Sequence, residues 1–142
     1  MKKFHLWSVS PVIATVALLL ALGGSASVAH ADWGSPNIGA FTSLTLVDGW
    51  TGAPFGTGIP MVNKSNGIVH FKGAMASGTT STAFTLPAAF RPHAAVYVTV
   101  DMCNATNGRL FIDTNGVATV QAETNFSNAQ CFTSLDGVSF AP

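Results

Sequence analysis

Charged residues are scarce in this chain of 142 residues. Six Lys or Arg and six Asp or Glu make up 8% of it, whereas about a quarter of residues is usual in a soluble domain. The few charges are scattered, so the chain offers no positive field for nucleic acid or for an anionic lipid surface. We therefore expect neither nucleic acid nor a membrane among the partners of the mature protein. A surface with so little charge favours self-association.

The chain also lacks a hydrophobic run long enough to span a bilayer. Two lysines near the start are followed by an apolar stretch over 12–22 and by Ala29-His30-Ala31. A membrane helix needs roughly 18 to 20 apolar residues, whereas a basic start, a shorter apolar run and an A-x-A exit are typical of a secretory signal. We expect residues 1–31 to be a removable signal peptide and residues 32–142 to be one secreted, extracellular domain. An uncleaved membrane anchor is the alternative.

Cysteine is limited to one pair, Cys103 and Cys131. In an exported protein an even number of cysteines predicts a disulfide. A crosslink that closes a loop of this length stabilises a fold by roughly 3 kcal/mol. Two free, buried thiols are the alternative interpretation.

No window after residue 31 has helical periodicity, so we predict no helix there. Short runs rich in Val, Ile, Phe and Thr recur at intervals of roughly eight to twelve residues, separated by Gly, Asn, Asp and Pro. The predicted strands cover 43–47, 68–73, 82–86, 93–102, 109–113, 117–122, 131–135 and 138–140, with a loop over 50–60. Turn dipeptides stand at 48–49, 66–67, 107–108, 115–116 and 136–137. The predicted fold class is all-β, an antiparallel β-sandwich or jelly-roll-like barrel of about eight or nine strands.

Catalytic and metal-binding patterns are missing from the sequence. His70 and His93 stand alone, without the short spacing that brings two imidazoles to one metal ion. There is no G-x-S-x-G motif for a serine nucleophile. The aspartates flank turns, where capping of backbone amides explains them. We therefore expect no metal, no cofactor and no enzymatic activity; a small hydrolase with an unrecognised site is the least favoured alternative.

Five motifs follow one another in a familiar order. They are LTLVDGW at 44–50, NGIVHFKG at 66–73, FTLPAAFRP at 84–92, GRLFIDTNGVATV at 108–120 and SLDGVSF at 134–140. This order resembles the small β-domain that caps many bacteriophage tail-fibre and baseplate receptor-binding proteins. The resemblance implies a compact β-sandwich or jelly-roll-like head, often a homotrimer, that binds a host surface and frequently its glycans. The leader and the cysteine pair depart from the pattern of that family, so the fold carries over better than the role.

Aromatic and amide side chains in the predicted loops are the candidate ligand contacts. An aromatic face stacks on the apolar side of a sugar ring, and amides bind its hydroxyl groups. The candidates are Trp33, Phe55, Asn104, Asn107, Asn125, Phe126, Asn128 and Gln130. Among the aromatics we expect Phe126 to be the best exposed, whereas Trp50 is better explained as a core side chain at a strand end.

Together these patterns predict a secreted, non-enzymatic recognition module that binds a surface polymer, most simply a glycan, as a homotrimer. The disulfide would hold together the loops that carry the candidate residues, so we expect reduction to weaken binding. The alternative is a structural protein of an extracellular coat or matrix that self-associates through its weakly charged surface.

Overall fold

The computed structural model describes residues 39–142. The predicted signal peptide and the candidate Trp33 lie outside the described residues. Within 39–142 the chain forms eleven short strands, three 3-10 turns and one short α-helix. The all-β fold class predicted from the sequence is thereby confirmed, with more and shorter strands than the eight or nine expected.

The strands, in chain order, are β1 (Thr42–Ser43), β2 (Thr51–Gly52), β3 (Met61–Ser65), β4 (Ile68–Lys72), β5 (Ala74–Ala76), β6 (Thr82–Thr85), β7 (Val96–Met102), β8 (Thr106–Ile112), β9 (Val117–Ala122), β10 (Thr133–Ser134) and β11 (Ser139–Phe140). The 3-10 turns are Pro54–Gly56, Ala88–Phe90 and Cys103–Ala105, and the helix α1 is Phe126–Cys131. None of the helical segments described is long and apolar enough to cross a membrane.

Two antiparallel sheets enclose the core. The small sheet has the strand order β1-β3-β4-β11, and the large sheet has the order β2-β5-β10-β7-β8-β9-β6. The ring of Phe71 from the small sheet lies 6.1 Å from that of Phe84 in the large sheet and 6.0 Å from that of Phe140. Leu110 and Val120 are buried beside them. Apolar side chains that alternate with more exposed ones along β4, β7 and β8 therefore fill the space between the sheets.

Two predicted turns show why their residues fold as they do. Asn66 and Gly67 have φ values of 50° and 80° and join β3 to β4; both residues tolerate the positive φ that such a hairpin needs. After β8, the Asp113 carboxylate accepts hydrogen bonds of 2.9 Å from the N–H groups of Asn115 and Val117. The turn roles inferred for these residues are confirmed.

The turn predicted at 107–108 is wrong, because both residues lie inside β8. The chain turns earlier, at Cys103–Ala105, where Asn104 has a φ of 61°. Gly108 is needed for close packing and not for a turn. A Cβ at this position would lie 2.6 Å from the backbone oxygen of Gln121 and 2.8 Å from the sulfur of Met102. A glycine in a strand allows such a close approach.

The prediction of no helix after residue 31 is also wrong, and the strand predicted over 131–135 is confirmed only at Thr133–Ser134. Residues Phe126–Cys131 form α1, and β10 is reduced to two residues. The Asn125 side chain caps the helix by accepting a hydrogen bond of 3.0 Å from the N–H of Ser127. A helix of six residues is too short for a 3.6-residue period to appear in the sequence.

The predicted strand over 43–47 is divided between the two sheets. Thr42 and Ser43 pair with β3 in the small sheet, whereas Leu46 forms an isolated bridge with Phe84 of the large sheet. Leu44 is buried and Leu46 half-buried on the inner side, as the alternation predicted. The loop predicted over 50–60 is confirmed except for the two residues of β2.

Candidate functional site

A groove with a volume of about 440 Å³ lies on the outer face of the large sheet, over β8 and β9. Its polar lining consists of Thr99, Asn107, Arg109, Gln121 and Glu123. We call this set of residues the outer groove. A volume in this range is typical of small-ligand sites.

Strand register arranges the outward side chains of this face in three rows, in which Tyr97 and Asp101 lie on either side of Thr99 and flank the outer groove. Odd-numbered residues of β7, β8 and β9 point outward, because successive residues of a strand alternate between faces. The rows are Tyr97-Phe111-Thr119, Thr99-Arg109-Gln121 and Asp101-Asn107-Glu123. The face therefore changes from aromatic at one end, through a guanidinium and an amide, to acidic at the other.

The guanidinium of Arg109 is held in place from two sides. Its Nε donates a hydrogen bond of 2.5 Å to Oε1 of Gln121, and its central carbon lies 4.9 Å from the ring centroid of Tyr97. The Tyr97 ring is itself 4.8 Å from that of Phe111. These contacts use one of the five N–H donors of the guanidinium, so the others remain for a ligand or for water.

The aromatic end of the face is well exposed. Tyr97 is 60% exposed, although it is the second residue of β7 and is paired with Phe111 of β8. An exposed ring on a rigid strand, next to amides and a fixed guanidinium, can stack on the apolar side of a sugar while the polar groups bind its hydroxyls.

The acidic end of the face consists of Asp101 and Glu123 on either side of Asn107. All three are exposed, and Glu123 donates its backbone N–H to the carbonyl of Asn107 over 3.2 Å. Within the described part of the chain, neither carboxylate is engaged in a hydrogen bond or an ion pair. Their oxygen atoms are therefore free to accept hydrogen bonds from a ligand.

Of the predicted candidates that lie within residues 39–142, the structure places only Asn107 in the outer groove. Three others, which lie on α1 and its cap, form hydrogen bonds within the fold. Asn125 caps the helix, Asn128 donates to Oγ1 of Thr124 over 3.2 Å, and Gln130 donates to the carbonyl of Gly78 over 2.8 Å. Asn104 is exposed on the turn between β7 and β8.

The expected exposure of Phe126 is wrong. Its ring is half-buried against the core and contacts Trp50 edge-on, with a centroid distance of 6.1 Å. Trp50 is only 5% exposed and donates its Nε1–H to the carbonyl of Thr80 over 3.0 Å, so its interpretation as a core side chain is confirmed. Phe126 is drawn inward because the first turn of α1 packs one side on the core.

Phe55 is exposed as expected, but in a different region. It is 80% exposed on the turn Pro54–Gly56, has a φ of 54°, and its ring lies 6.1 Å from that of Phe132. Phe132 follows Cys131, which forms the predicted disulfide with Cys103 across a Cα–Cα distance of 5.8 Å. We call the turns Pro54–Gly56 and Cys103–Ala105, together with α1, the loop end.

Sequence reasoning missed Tyr97, Arg109, Gln121 and Glu123 as site residues. Alternation along β7 already predicted that Tyr97 faces away from the valines. The pairing of β7 with β8 remained hidden, because the turn between them was placed at 107–108 instead of at Cys103–Ala105. A turn misplaced by a few residues conceals which side chains are neighbours across the sheet.

A second cavity, of about 370 Å³, lies on the small sheet between Phe41, Asn63 and His70. Asn63 is 1% exposed; its amide donates to the carbonyl of Gly39 over 2.9 Å, but its Oδ1 has no hydrogen-bond partner. Because Oδ1 is fully enclosed, a ligand in this cavity would not reach it without rearrangement. The described residues hold no group of three His, Cys, Asp or Glu side chains suited to a metal ion.

The sequence matches no protein-family model and no curated protein. Among solved structures, the fold is similar to the crystal structure of the receptor-binding protein (gp15) of Listeria phage PSA, with a TM-score of 0.57. The two sequences are 16% identical, and the match covers 91% of this chain and 72% of the phage protein. At this identity the likeness concerns the fold alone. The resemblance noted in the motifs is therefore confirmed at the level of architecture: this chain has a fold similar to that of a phage receptor-binding protein.

Proposed function

We propose that this protein is a secreted, non-enzymatic recognition module that binds a saccharide of a cell-surface polymer in the outer groove. The observation that carries the proposal is the fixed guanidinium of Arg109, held between the exposed ring of Tyr97 and the amide of Gln121. The likeness in fold to a phage receptor-binding protein supports a role in recognition. The signal peptide predicted at 1–31 and the Cys103–Cys131 disulfide support a location outside the cell.

The chemistry of binding follows from the order of the side chains across the groove. A sugar ring stacks on Tyr97, and its oxygen atoms accept hydrogen bonds from the remaining N–H groups of Arg109. The amides of Asn107 and Gln121 lie on β8 and β9, where they can both donate to and accept from hydroxyl groups. Because these side chains project from paired strands, little ordering is required when the ligand binds.

A pair of alanine variants tests this placement. The folded protein is screened on a glycan array, and its affinity for a retained glycan is measured by calorimetry. Tyr97→Ala should lower the affinity about tenfold or more, equivalent to about 1.4 kcal/mol. Phe55→Ala removes an exposed aromatic side chain at the loop end and should leave the affinity unchanged.

The outcomes of this test are distinct. Failure of the folded protein to bind any glycan on the array, or intact bacterial cell walls, would contradict the proposed function. If Phe55→Ala lost affinity and Tyr97→Ala did not, the proposed function would be supported, but the binding site would lie at the loop end and not in the outer groove.

Self-association is the second role that a specific observation favours. Phe55 is 80% exposed and Ile59, in the same loop, is 52% exposed. Exposed apolar side chains grouped in this way are typical of contact surfaces. A homotrimer or a self-associating coat built through this loop would bury both. Light scattering on a gel-filtration column decides: a monomer at every concentration contradicts both assemblies, whereas an oligomer that Phe55→Ala dissociates supports this loop as the contact.

A further inference from the structure

We infer that the outer groove selects an uncharged, hydroxyl-rich sugar unit and discriminates against anionic polymers by means of Asp101 and Glu123. This inference rests on the proposed function, because it names the ligand class of the same groove. It goes further in assigning specificity to two carboxylates that make no contact with the aromatic end of the face.

The charges of the groove are unequal in number. Arg109 and Glu123 line the groove and Asp101 flanks it on β7, so one cation lies beside two anions of the neighbouring row. Two neighbouring rows are separated by two residues along each strand, which is a distance of about 7 Å. An anionic group bound at Arg109 would therefore be within about one Debye length of both carboxylates at physiological ionic strength.

The three charges also remain available to the ligand. The contacts of Arg109 within the described residues are those with Tyr97 and Gln121, and neither carboxylate is paired. The guanidinium is thus not neutralised by its acidic neighbours, and the acids are not neutralised by it. An incoming anion meets the attraction of one charge and the repulsion of two.

Hydrogen-bond capacity leads to the same ligand class. Carboxylates only accept hydrogen bonds, and a guanidinium only donates them. A hydroxyl group does both, so a sugar with several hydroxyls can donate to the Asp101 and Glu123 oxygens and accept from Arg109. An ionised phosphate or carboxylate group only accepts hydrogen bonds. Such a group would donate no hydrogen bond to the carboxylates of Asp101 and Glu123.

The test uses a glycan array in which each neutral glycan is printed beside its phosphorylated, sulfated or carboxylated counterpart. The unmodified protein should bind neutral members in preference to their anionic counterparts. Glu123→Gln should raise binding to the anionic members about threefold at low salt, and Asp101→Asn with Glu123→Gln about tenfold, with smaller gains at high salt. Asp48→Asn is the matched control: it removes the same charge from an exposed turn residue outside β7, β8 and β9 and should leave the preference unchanged.

Each result bears on the inference in a different way. Binding confined to anionic members would overturn it and leave the proposed function intact. A gain in Glu123→Gln no larger than in Asp48→Asn would also overturn it, because the effect would then be that of net charge. Binding to no member of either class would instead contradict the proposed function itself.

Discussion

The outer groove and the loop end contain similar polar side chains, but the two regions use them differently. In the groove, Asn107 lies in β8 and Glu123 directly follows β9, where its backbone N–H is bonded to the carbonyl of Asn107. Their side chains make no hydrogen bond within the described fold. At the loop end, Asn125 and Gln130 bond to backbone groups of the chain itself. Irregular backbone needs side-chain partners, whereas a paired strand does not. The amide of Asn107 is therefore a better ligand candidate than the amides of Asn125 and Gln130.

The largest effect that separates the two regions should come from Trp50. Its buried ring supports Phe126 of α1 and donates to Thr80. Trp50→Ala should lower the free energy of unfolding by about 3 to 5 kcal/mol, measured by urea denaturation. Trp50→Phe keeps a ring and should cost less, mainly through the lost hydrogen bond.

Tyr97→Ala gives the contrasting result in the groove. Because its ring is exposed and loses mainly its contacts with Phe111 and Arg109, the variant should lower stability by no more than about 1 kcal/mol while it lowers affinity. The comparison would break down if Trp50→Ala, still folded at low temperature, lost affinity as severely as Tyr97→Ala.

The disulfide comes next in size. Its cysteines are 28 residues apart, and a loop of that length predicts a stabilisation of about 3.5 kcal/mol. The double variant Cys103→Ala, Cys131→Ala should unfold at correspondingly lower urea concentration. Since the groove lies on paired strands, the folded variant should keep its affinity. This differs from the expectation drawn from the sequence, that reduction weakens binding, and a loss of affinity in the folded variant would return the site to the loop end.

The sequence predicts the strands of the groove better than it predicts how these strands pair with one another. Alternation of Val96, Val98 and Val100 with polar residues is sufficient to predict β7 and its two faces. It does not predict register, because the turn before β8 contains no glycine and uses Asn104 and Ala105 at positive φ instead. The groove depends on that register, so its residues could not be grouped from the sequence.

The loop end is hidden from the sequence for another reason. The run from Thr124 to Gln130 is polar and contains one aromatic residue, which is the composition of an exposed loop. In the structure, Asn125 caps a short helix, and the crosslink at Cys131 fixes its last residue. Tertiary contacts, not periodicity, maintain so short a helix, and they turn Phe126 toward the core.

The smallest and most specific comparison uses one residue type in both regions. Asn125→Ala removes the cap of α1 and should lower the free energy of unfolding by about 1 kcal/mol, whereas Asn125→Asp keeps an acceptor and should restore most of it. Asn107→Ala should leave stability within about 0.5 kcal/mol but reduce affinity for the glycan retained on the array. Urea denaturation and calorimetry on the three variants measure both quantities. If Asn107→Ala destabilised the fold while Asn125→Ala lowered affinity, the assignment of ligand contacts to the strands and of structural bonds to the loops would be reversed.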